Sequence, residues 1–353
     1  MPPPVELDLS LRPQARYDVI DVRRAAREQH GGALEGYPRG LYCSHHTTAG
    51  FLDQSLCTRL GNSPESVDPY IQVFRQVFPE DAPYSHDQLD QRTELTDEEK
   101  RQESKNAASH LAAIGAGLRN CATYVHRDER PVLFIDLDGV VPAGHRARRA
   151  TVFGYEHEEL VAEWQTALPV SPHPVDSLNL RDPRLGFFDE LSAAVRHHGV
   201  EHGRLDVALL PSERNVGLTV NEYETLLMQH DLAEVLREPL RFMAAKGRNM
   251  LRDPGEIPRK TLDYAKYDLV HVFNEAMDRL RISESALERM LSRFLALPAA
   301  RFLRMKRTLA LPVSATSGRD GLLYGTYQSP ILVQWQPAEK QERRIDIVVV
   351  QFS

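Results

Sequence analysis

The sequence predicts an α+β protein with two related domains. Its 353 residues, of which 42% are hydrophobic and 26% charged, have the length and composition of about two globular domains. Short apolar, β-branched segments typical of strands alternate with segments whose apolar residues recur every three or four positions, as in amphipathic helices. The closing segments of the two halves also resemble each other, which indicates an internal repeat.

The first half is expected to begin with strands and helices in alternation. The segments 17–22 and 41–43 are apolar and β-branched, so each is predicted to be a strand. Apolar residues recur at helical spacing over 66–78 and predict a helix there. A capping box that starts at Thr96 predicts a second helix that runs to about Gly117.

Two further strands are expected to close each half. In the first half they are 131–137 and 150–155, and a polar loop between them makes a hairpin the simplest arrangement. The second half ends in the same way, since PILV and RRIDIVVV follow the pattern of PVLF and RRATVFGY. This match predicts an internal duplication.

The second half repeats the order of elements around a longer helical region. The expected elements are a helix at 186–198, a strand at 205–210, helices at about 223–245, 260–281 and 283–295, and strands at 322–335 and 344–352. A proline-rich polar stretch places the boundary near residue 170, which gives domains 1–170 and 171–353. Helical segments at about 244–300 are predicted to be an insertion in the second domain.

The charge balance argues against nucleic acid and lipid as partners. Lys and Arg number 43 against 50 Asp and Glu, and the formal net charge of −7 offers no overall attraction to phosphate backbones. No segment reaches the ~18 apolar residues of a membrane-spanning helix, and the first residues lack the pattern of a signal peptide. We expect a cytoplasmic protein whose cysteines Cys43, Cys57 and Cys121 are reduced and mostly buried.

Three histidines in the first half are candidates for a metal site. His46 follows the second predicted strand, His86 lies in a polar loop, and His110 lies on the second predicted helix. Neutral imidazoles bind Zn, Fe, Ni or Cu, and three protein ligands with an open position are typical of a catalytic metal. The alternative is that some of the 14 histidines are neighbours in sequence by chance.

The order of four motifs resembles the YjbQ-type family, which is linked to secondary thiamine-phosphate synthase activity. The motifs here are His46-Thr-Thr-Ala, Tyr84-x-His86, Asn106-x-x-x-His110-Leu and Gly325-Thr-Tyr-Gln328. The resemblance implies a compact α+β fold on antiparallel sheets, usually trimeric, with a histidine metal site near a subunit interface.

The motifs are divided between the two halves. The family has a Glu after the first motif, where the first half has Ser55 and the second has Glu222. By the same alignment His46 corresponds to Glu213, and His110 roughly to Arg301. Only the second half retains the last motif. The resemblance therefore implies a composite site, with histidines from the first half and Glu222 and Gln328 from the second.

These residues predict a metal-dependent enzyme that acts on a small polar metabolite, phosphorylated or not, and that forms a homo-oligomer. The metal is a divalent transition ion, Zn or Fe, and Glu222 is the expected general acid or base. The expected metal ligands are His46, His86 and His110, and the expected substrate-binding residues are Thr47, Thr48, Asn106, Tyr327 and Gln328.

Two other functions compete with this prediction. Asp136 and Asp138 follow an apolar segment, as in the first motif of haloacid-dehalogenase-type phosphatases, where the first Asp is a nucleophile and the pair binds Mg²⁺. No later strand ends in the acidic pair that would complete such a Mg²⁺ site. The third possibility is a non-catalytic binding or scaffold protein, which would tolerate loss of the metal.

Overall fold

The structure is a computed structural model of the chain. It describes residues 2–353 apart from 82–83, 85, 92–95, 103, 128–129, 142–143, 173–175, 223–304 and 318–320. The helices predicted at about 223–245, 260–281 and 283–295, the insertion predicted at about 244–300, and Arg301 lie outside the described residues. Among the residues that are described, no helix combines the length and apolar character needed to cross a membrane.

The described part of the first half contains two larger antiparallel sheets, one two-stranded pair and five α-helices. Its elements are β1 (Val5–Leu11), β2 (Asp18–Asp21), α1 (Val22–His30), β3 (Arg39–Ser44), β4 (Ala49–Phe51), α2 (Gln54–Leu60), α3 (Pro64–Val77), α4 (Asp97–Gln102), α5 (Ala107–Ala116), β5 (Cys121–Val125), β6 (Leu133–Asp136), β7 (Val140–Val141), β8 (Gly144–His145) and β9 (Arg148–Tyr155). The strands form a four-stranded sheet in the order β1-β9-β3-β5 and a three-stranded sheet in the order β2-β6-β4. The short β7 and β8 pair only with each other.

The second half contains the same two kinds of sheet. Its described elements are β10 (Glu158–Pro169), β11 (Asp176–Asn179), α6 (Phe187–His198), β12 (His202–Leu209), β13 (Val216–Asn221), β14 (Thr308–Ser314), β15 (Ser329–Gln334) and β16 (Glu342–Phe352). The sheets have the orders β10-β16-β12-β14 and β11-β15-β13. Residues of β12 alternate between buried and partly exposed, as expected for a strand with one face on the core.

The two halves have the same strand order. In each four-stranded sheet the first strand of the half lies at one edge, the last strand lies beside it, and the third and fifth strands follow. The second, sixth and fourth strands form each three-stranded sheet when β7 and β8 are set aside, and all of these pairs are antiparallel. A duplication requires this equality of strand order, and the common origin of the halves stays a prediction.

The structure corrects the predicted hairpins. β6 pairs with β2 and β4, whereas β9 pairs with β1 and β3, so the closing strands of the first half lie in different sheets. The same holds for β15 and β16 in the second half. Local sequence suggested a hairpin because only a loop separates the strands, but their partners come from the beginning of each half.

Two predicted boundaries can be compared with the strands and helices. β10 lies before the boundary predicted near residue 170 and pairs with β16 apart from a bulge at Val161. By sheet membership the second half begins at Glu158, and the domains 1–170 and 171–353 stay a prediction. The helix predicted from Thr96 to about Gly117 is divided into α4 and α5, because the described residues 104–106 between them are not helical.

Helix α5 packs between the two three-stranded sheets. All of its residues are buried, and its small side chains allow close packing. One core cluster joins Leu111 and Ile114 of α5 to Ile135 at the end of β6 and also to Ile331 and Val333 of β15. This packing brings the side chains of α5 close to the ends of strands in the second half.

The four-stranded sheets of the two halves also contact each other. The ring of Tyr155 on β9 stacks on the ring of Phe352 on β16, with a centroid distance of 3.9 Å. The Ser314 hydroxyl on β14 also lies 2.8 and 2.7 Å from the two carboxylate oxygens of Glu6 on β1. The halves therefore share an interface that combines an apolar centre with a hydrogen bond from a hydroxyl to a carboxylate.

Candidate metal centre

Two histidines of the first half and one carboxylate of the second form a compact cluster. His86, His110 and Glu222 each offer a ligand atom, and these atoms lie within 4.8 Å of one another. Both imidazoles are almost fully buried, whereas the Glu222 side chain is 18% exposed. The cluster lies where α5 meets the end of β13.

The cluster depends on elements from both halves. His110 projects from the buried helix α5, and Glu222 directly follows the last residue of β13. His86 lies in the segment between α3 and α4. Packing of α5 against both three-stranded sheets thus brings together residues that are distant in sequence.

Asn221 determines the tautomer of His110. The backbone N–H of Glu222 donates to Asn221 Oδ1 at 2.8 Å, so this atom is an acceptor. His110 Nδ1 lies 2.6 Å from the same oxygen and must therefore donate its proton to it. Nε2 of the neutral imidazole then carries a lone pair, which is the form that binds a metal ion.

The electrostatics around His110 favour the neutral imidazole. Burial, followed by the neighbouring His86, lowers its pKa from 6.5 to about 3, against the effect of the hydrogen bond to Asn221. His110 Nε2 is buried, accepts no hydrogen bond from the described residues, and lies 3.4 Å from Glu222 Oε2. Two atoms with lone pairs thus face each other.

Asp87 orients the other imidazole. His86 Nδ1 donates to Asp87 Oδ1 at 2.9 Å, and the same oxygen accepts the backbone N–H of Ala107 at 3.1 Å. Ala107 is the first residue of α5, so the carboxylate joins the histidine loop to the start of the helix that carries His110. Imidazoles with one nitrogen bonded to a carboxylate or an amide oxygen are typical of metal ligands.

His46 lies outside this cluster, contrary to the sequence prediction. Its Nε2 accepts the backbone N–H of Arg149 at 2.8 Å, and its Nδ1 faces the Arg148 guanidinium at 3.5 Å. Burial and the Arg148 charge lower the pKa of His46 to about 3. Both ring nitrogens therefore have cationic or donor neighbours, and the structure places Glu222 where His46 was expected.

The phosphatase alternative does not agree with the structure. Asp136 is fully buried, and Arg148 donates to both of its carboxylate oxygens, at 2.5 and 2.8 Å. Asp138 accepts from Arg146 and from Asn106. The strand before Asp136 belongs to an antiparallel sheet. A nucleophilic carboxylate needs access to its substrate, and Asp136 has none.

Three of the predicted substrate-binding residues make hydrogen bonds within the protein. Gln328 Nε2 donates to the carbonyls of Ser44 and His46, and its Oε1 accepts the N–H of Gly325. Thr48 is buried against Arg148, and Asn106 Nδ2 donates to Asp138. Asn106 Oδ1 nevertheless remains buried and accepts no hydrogen bond from the described residues.

The other two predicted residues differ in exposure. Tyr327 is 64% exposed. Thr47 lines a cavity of about 10 Å³, with room for about one water molecule, between the loop after β3, the end of α5 and β13. Sequence reasoning did not identify Asp87 or the role of Asn221, although each lies next to a residue that it did identify.

Comparison with known proteins finds that the chain is similar to several solved structures. No family model and no curated protein matches the chain. The chain is similar to solved YjbQ/UPF0047 structures. A YbjQ-like protein of unknown function from Sulfolobus solfataricus P2 is 12% identical, with a TM-score of 0.28, over 55% of this chain and 99% of that one.

Two further structures match a similar share of the chain. An uncharacterised yjbq/upf0047 family protein from Clostridium acetobutylicum is 14% identical, with a TM-score of 0.27, over 54% of this chain and 99% of that one. A hypothetical protein from Aeropyrum pernix K1 is 15% identical, with a TM-score of 0.30, over 54% of this chain and 98% of that one. Each of these matches spans about half of this chain and nearly all of the solved one.

Proposed function

We propose that His86, His110 and Glu222 bind a divalent transition metal and that the protein is a metal-dependent enzyme acting on a small polar metabolite. The observation that carries the proposal is the approach of His110 Nε2 to Glu222 Oε2 at 3.4 Å. Asn221 forces the proton of the neutral imidazole onto Nδ1, so two lone pairs face each other. A cation between them removes this repulsion.

The donor set agrees with Zn or Fe. Two imidazoles and one carboxylate are the protein ligands of several catalytic zinc sites and of non-haem iron sites with open positions. Two ligands of a tetrahedral ion with bonds of about 2.0–2.1 Å lie about 3.4 Å apart. When bound, such an ion polarises a carbonyl or phosphoryl oxygen or lowers the pKa of a bound water.

In this proposal the residues of the chain have separate tasks. His86 and His110 are ligands, with their rings held by Asp87 and Asn221. Glu222 is the third ligand instead of the general acid or base of the sequence prediction. The free acceptor on Asn106 is the best candidate to receive a hydrogen bond from a hydroxyl or amino group of the metabolite.

Metal analysis of the purified chain tests the proposal. Wild-type protein loaded with Zn²⁺ or Fe²⁺ and passed through a desalting column is expected to retain about one ion per chain. His110→Ala should lose this ion, and His198→Ala, at the exposed end of α6, should keep it. Failure of the folded wild-type protein to retain either ion would refute the metal site.

Activity separates the enzyme from a metal-bound scaffold. Metal-loaded protein is assayed against panels of phosphomonoesters, esters and small carbonyl compounds, with His110→Ala as the matched blank. Turnover that disappears in His110→Ala and persists in His198→Ala supports an enzyme. Full metal occupancy without turnover of any compound would favour the non-catalytic alternative.

A further inference from the structure

Two cysteines face each other across neighbouring strands. Cys43 on β3 and Cys121 on β5 are directly opposite in the antiparallel register. Both are buried and reduced in the structure, at 1% and 4% exposure. The third cysteine, Cys57, lies on α2 and contacts the Tyr124 hydroxyl at 3.6 Å. The chain therefore has one cross-strand thiol pair and one separate thiol.

The hydrogen-bond pattern indicates how close the Cα atoms of the two cysteines lie. The next pair along consists of Ser44 and Asn120, and the Ser44 N–H donates to the Asn120 carbonyl at 2.7 Å. Hydrogen-bonded and non-hydrogen-bonded pairs alternate in an antiparallel ladder, so Cys43 and Cys121 form a non-hydrogen-bonded pair. Such pairs have Cα atoms about 4.5 Å apart, within the range of about 4.4–6.8 Å found for disulfides.

The two thiols lie on the same face of the sheet, because directly opposite residues of an antiparallel pair project to the same side. Burial, followed by the neighbouring Cys121, raises the pKa of the Cys43 thiol well above its usual range. Both cysteines belong to the apolar cluster that includes Tyr155 and Phe352, where the two halves meet.

We propose that Cys43 and Cys121 are a site of reversible disulfide formation. The bond would join the end of β3, just before the loop that carries His46, to the start of β5, just after α5 and its His110. It would therefore hold together the segment that precedes the His46 loop and the segment that follows the His110 helix. The proposal concerns the thiols alone and does not depend on metal binding.

The reaction is a thiol–disulfide exchange with a low-molecular-weight disulfide. One cysteine thiolate attacks a sulfur of the small disulfide, breaks its S–S bond and releases one small thiolate. The second cysteine thiolate attacks the protein sulfur of the mixed disulfide and releases the other small thiolate. Two protein thiols are oxidised, one small disulfide is reduced to two thiols, and the two protons pass to the released thiolates.

Access to the buried thiols comes from local opening of the sheet. β5 lies at the edge of its four-stranded sheet, so it separates from β3 without disrupting the other strand pairs of that sheet. Edge elements open at lower free energy than central ones. The high pKa of Cys43 keeps the thiolate fraction small, so the exchange is expected to be slow at neutral pH and faster at higher pH.

Peptide mapping of the whole folded protein tests the site. The protein is incubated with oxidised glutathione, free thiols are alkylated, and the chain is digested without reducing agent. We expect a cross-linked peptide pair that contains Cys43 and Cys121 and is two hydrogens lighter than its parts, with Cys57 alkylated. Cys57→Ser should give the same product, and Cys121→Ser should abolish it.

Three results would overturn the proposal. In the first, Cys43 and Cys121 remain alkylated as free thiols after a time in which the denatured chain has formed disulfides. In the second, each of these residues carries glutathione without the cross-link. In the third, Cys57 takes the place of either residue in the cross-linked product.

Discussion

Glu213 occupies in the second half the place that His46 occupies in the first. The backbone N–H of Arg344 donates to Glu213 Oε1 at 3.0 Å, as that of Arg149 donates to His46 Nε2 at 2.8 Å. The preceding arginine of each pair also approaches the same side chain, with Arg343 Nη1 at 3.0 Å from Glu213 Oε2. Both residues are therefore acceptors that anchor a loop to the last strand of their half.

Loss of the His46 side chain is expected to reduce stability and leave metal binding intact. His46→Ala removes the acceptor of the Arg149 N–H. Because Arg149 is exposed and its N–H can bond to water instead, the cost is that of one ordinary hydrogen bond, about 0.5–1.5 kcal/mol. Urea unfolding and metal analysis of the same preparation measure the two effects. If His46→Ala loses its metal as completely as His110→Ala does, His46 is a metal ligand after all.

The buried ion pair of Asp136 and Arg148 is expected to contribute strongly to folding. Asp136→Ala leaves the guanidinium without its carboxylate in a buried site, which typically costs about 3–5 kcal/mol. The exposed pair of Arg24 and Glu28 is the control, since its loss should cost no more than about 1 kcal/mol. Equal losses for Asp136→Ala and Glu28→Ala in urea unfolding would contradict the burial argument.

Asn221 is expected to determine metal affinity without contacting the ion. Asn221→Ala removes the acceptor that holds the His110 ring in its tautomer, and such changes typically weaken metal binding about 10–100-fold. Asn215→Ala, which removes a hydrogen bond to Gln336 farther from the cluster, is the control. Competition with a chelating dye measures the affinities. An unchanged affinity in Asn221→Ala would show that the ring needs no such support.

Stability is expected to fall as the pH falls below about 6.5. Burial, together with nearby arginines, lowers the pKa of His45 to about 4 and that of His46 to about 3. The unfolded chain binds protons at these histidines near pH 6.5, whereas the folded chain does not, so acid favours unfolding. Urea unfolding between pH 7 and about pH 4.5 measures the slope.

Variants of these histidines check the origin of the slope. His46→Gln should make the decline less steep because it removes one of the histidines whose pKa is lowered in the folded chain, and it keeps an acceptor for Arg149. His198→Gln, on the exposed end of α6, should keep the wild-type slope. If His46→Gln also keeps that slope, His46 is not a source of the pH dependence.

The elements predicted most closely were those with strong local patterns. The helix predicted from the spacing of 66–78 is present as α3, which begins at Pro64 after the capping residue Ser63. The strand predicted at 205–210 is present as β12. Pairing was not predictable in the same way. β9 takes its partners from β1 and β3, and no local signal at 148–155 states that its neighbour in sequence, β6, belongs to another sheet.

The sequence predicted which residues form the candidate site better than it predicted how they are arranged. Motif spacing identified His86, His110 and Glu222, and the structure brings them together. It also suggested His46, because a histidine in a loop after a strand looks the same in sequence whether it binds a metal or accepts a backbone N–H. The difference lies in Arg149, whose position depends on the pairing of β3 with β9.

A ligand bound by both His110 and Glu222 would link the two halves of the molecule, because these two residues belong to different halves. Its binding would then stabilise the association of the halves by about 4 kcal/mol when the free ligand concentration is a thousand times the dissociation constant. Linkage makes this effect reciprocal. A substitution that weakens the stacking of Tyr155 on Phe352, which are far from the cluster in sequence, should therefore also lower the affinity for the ion.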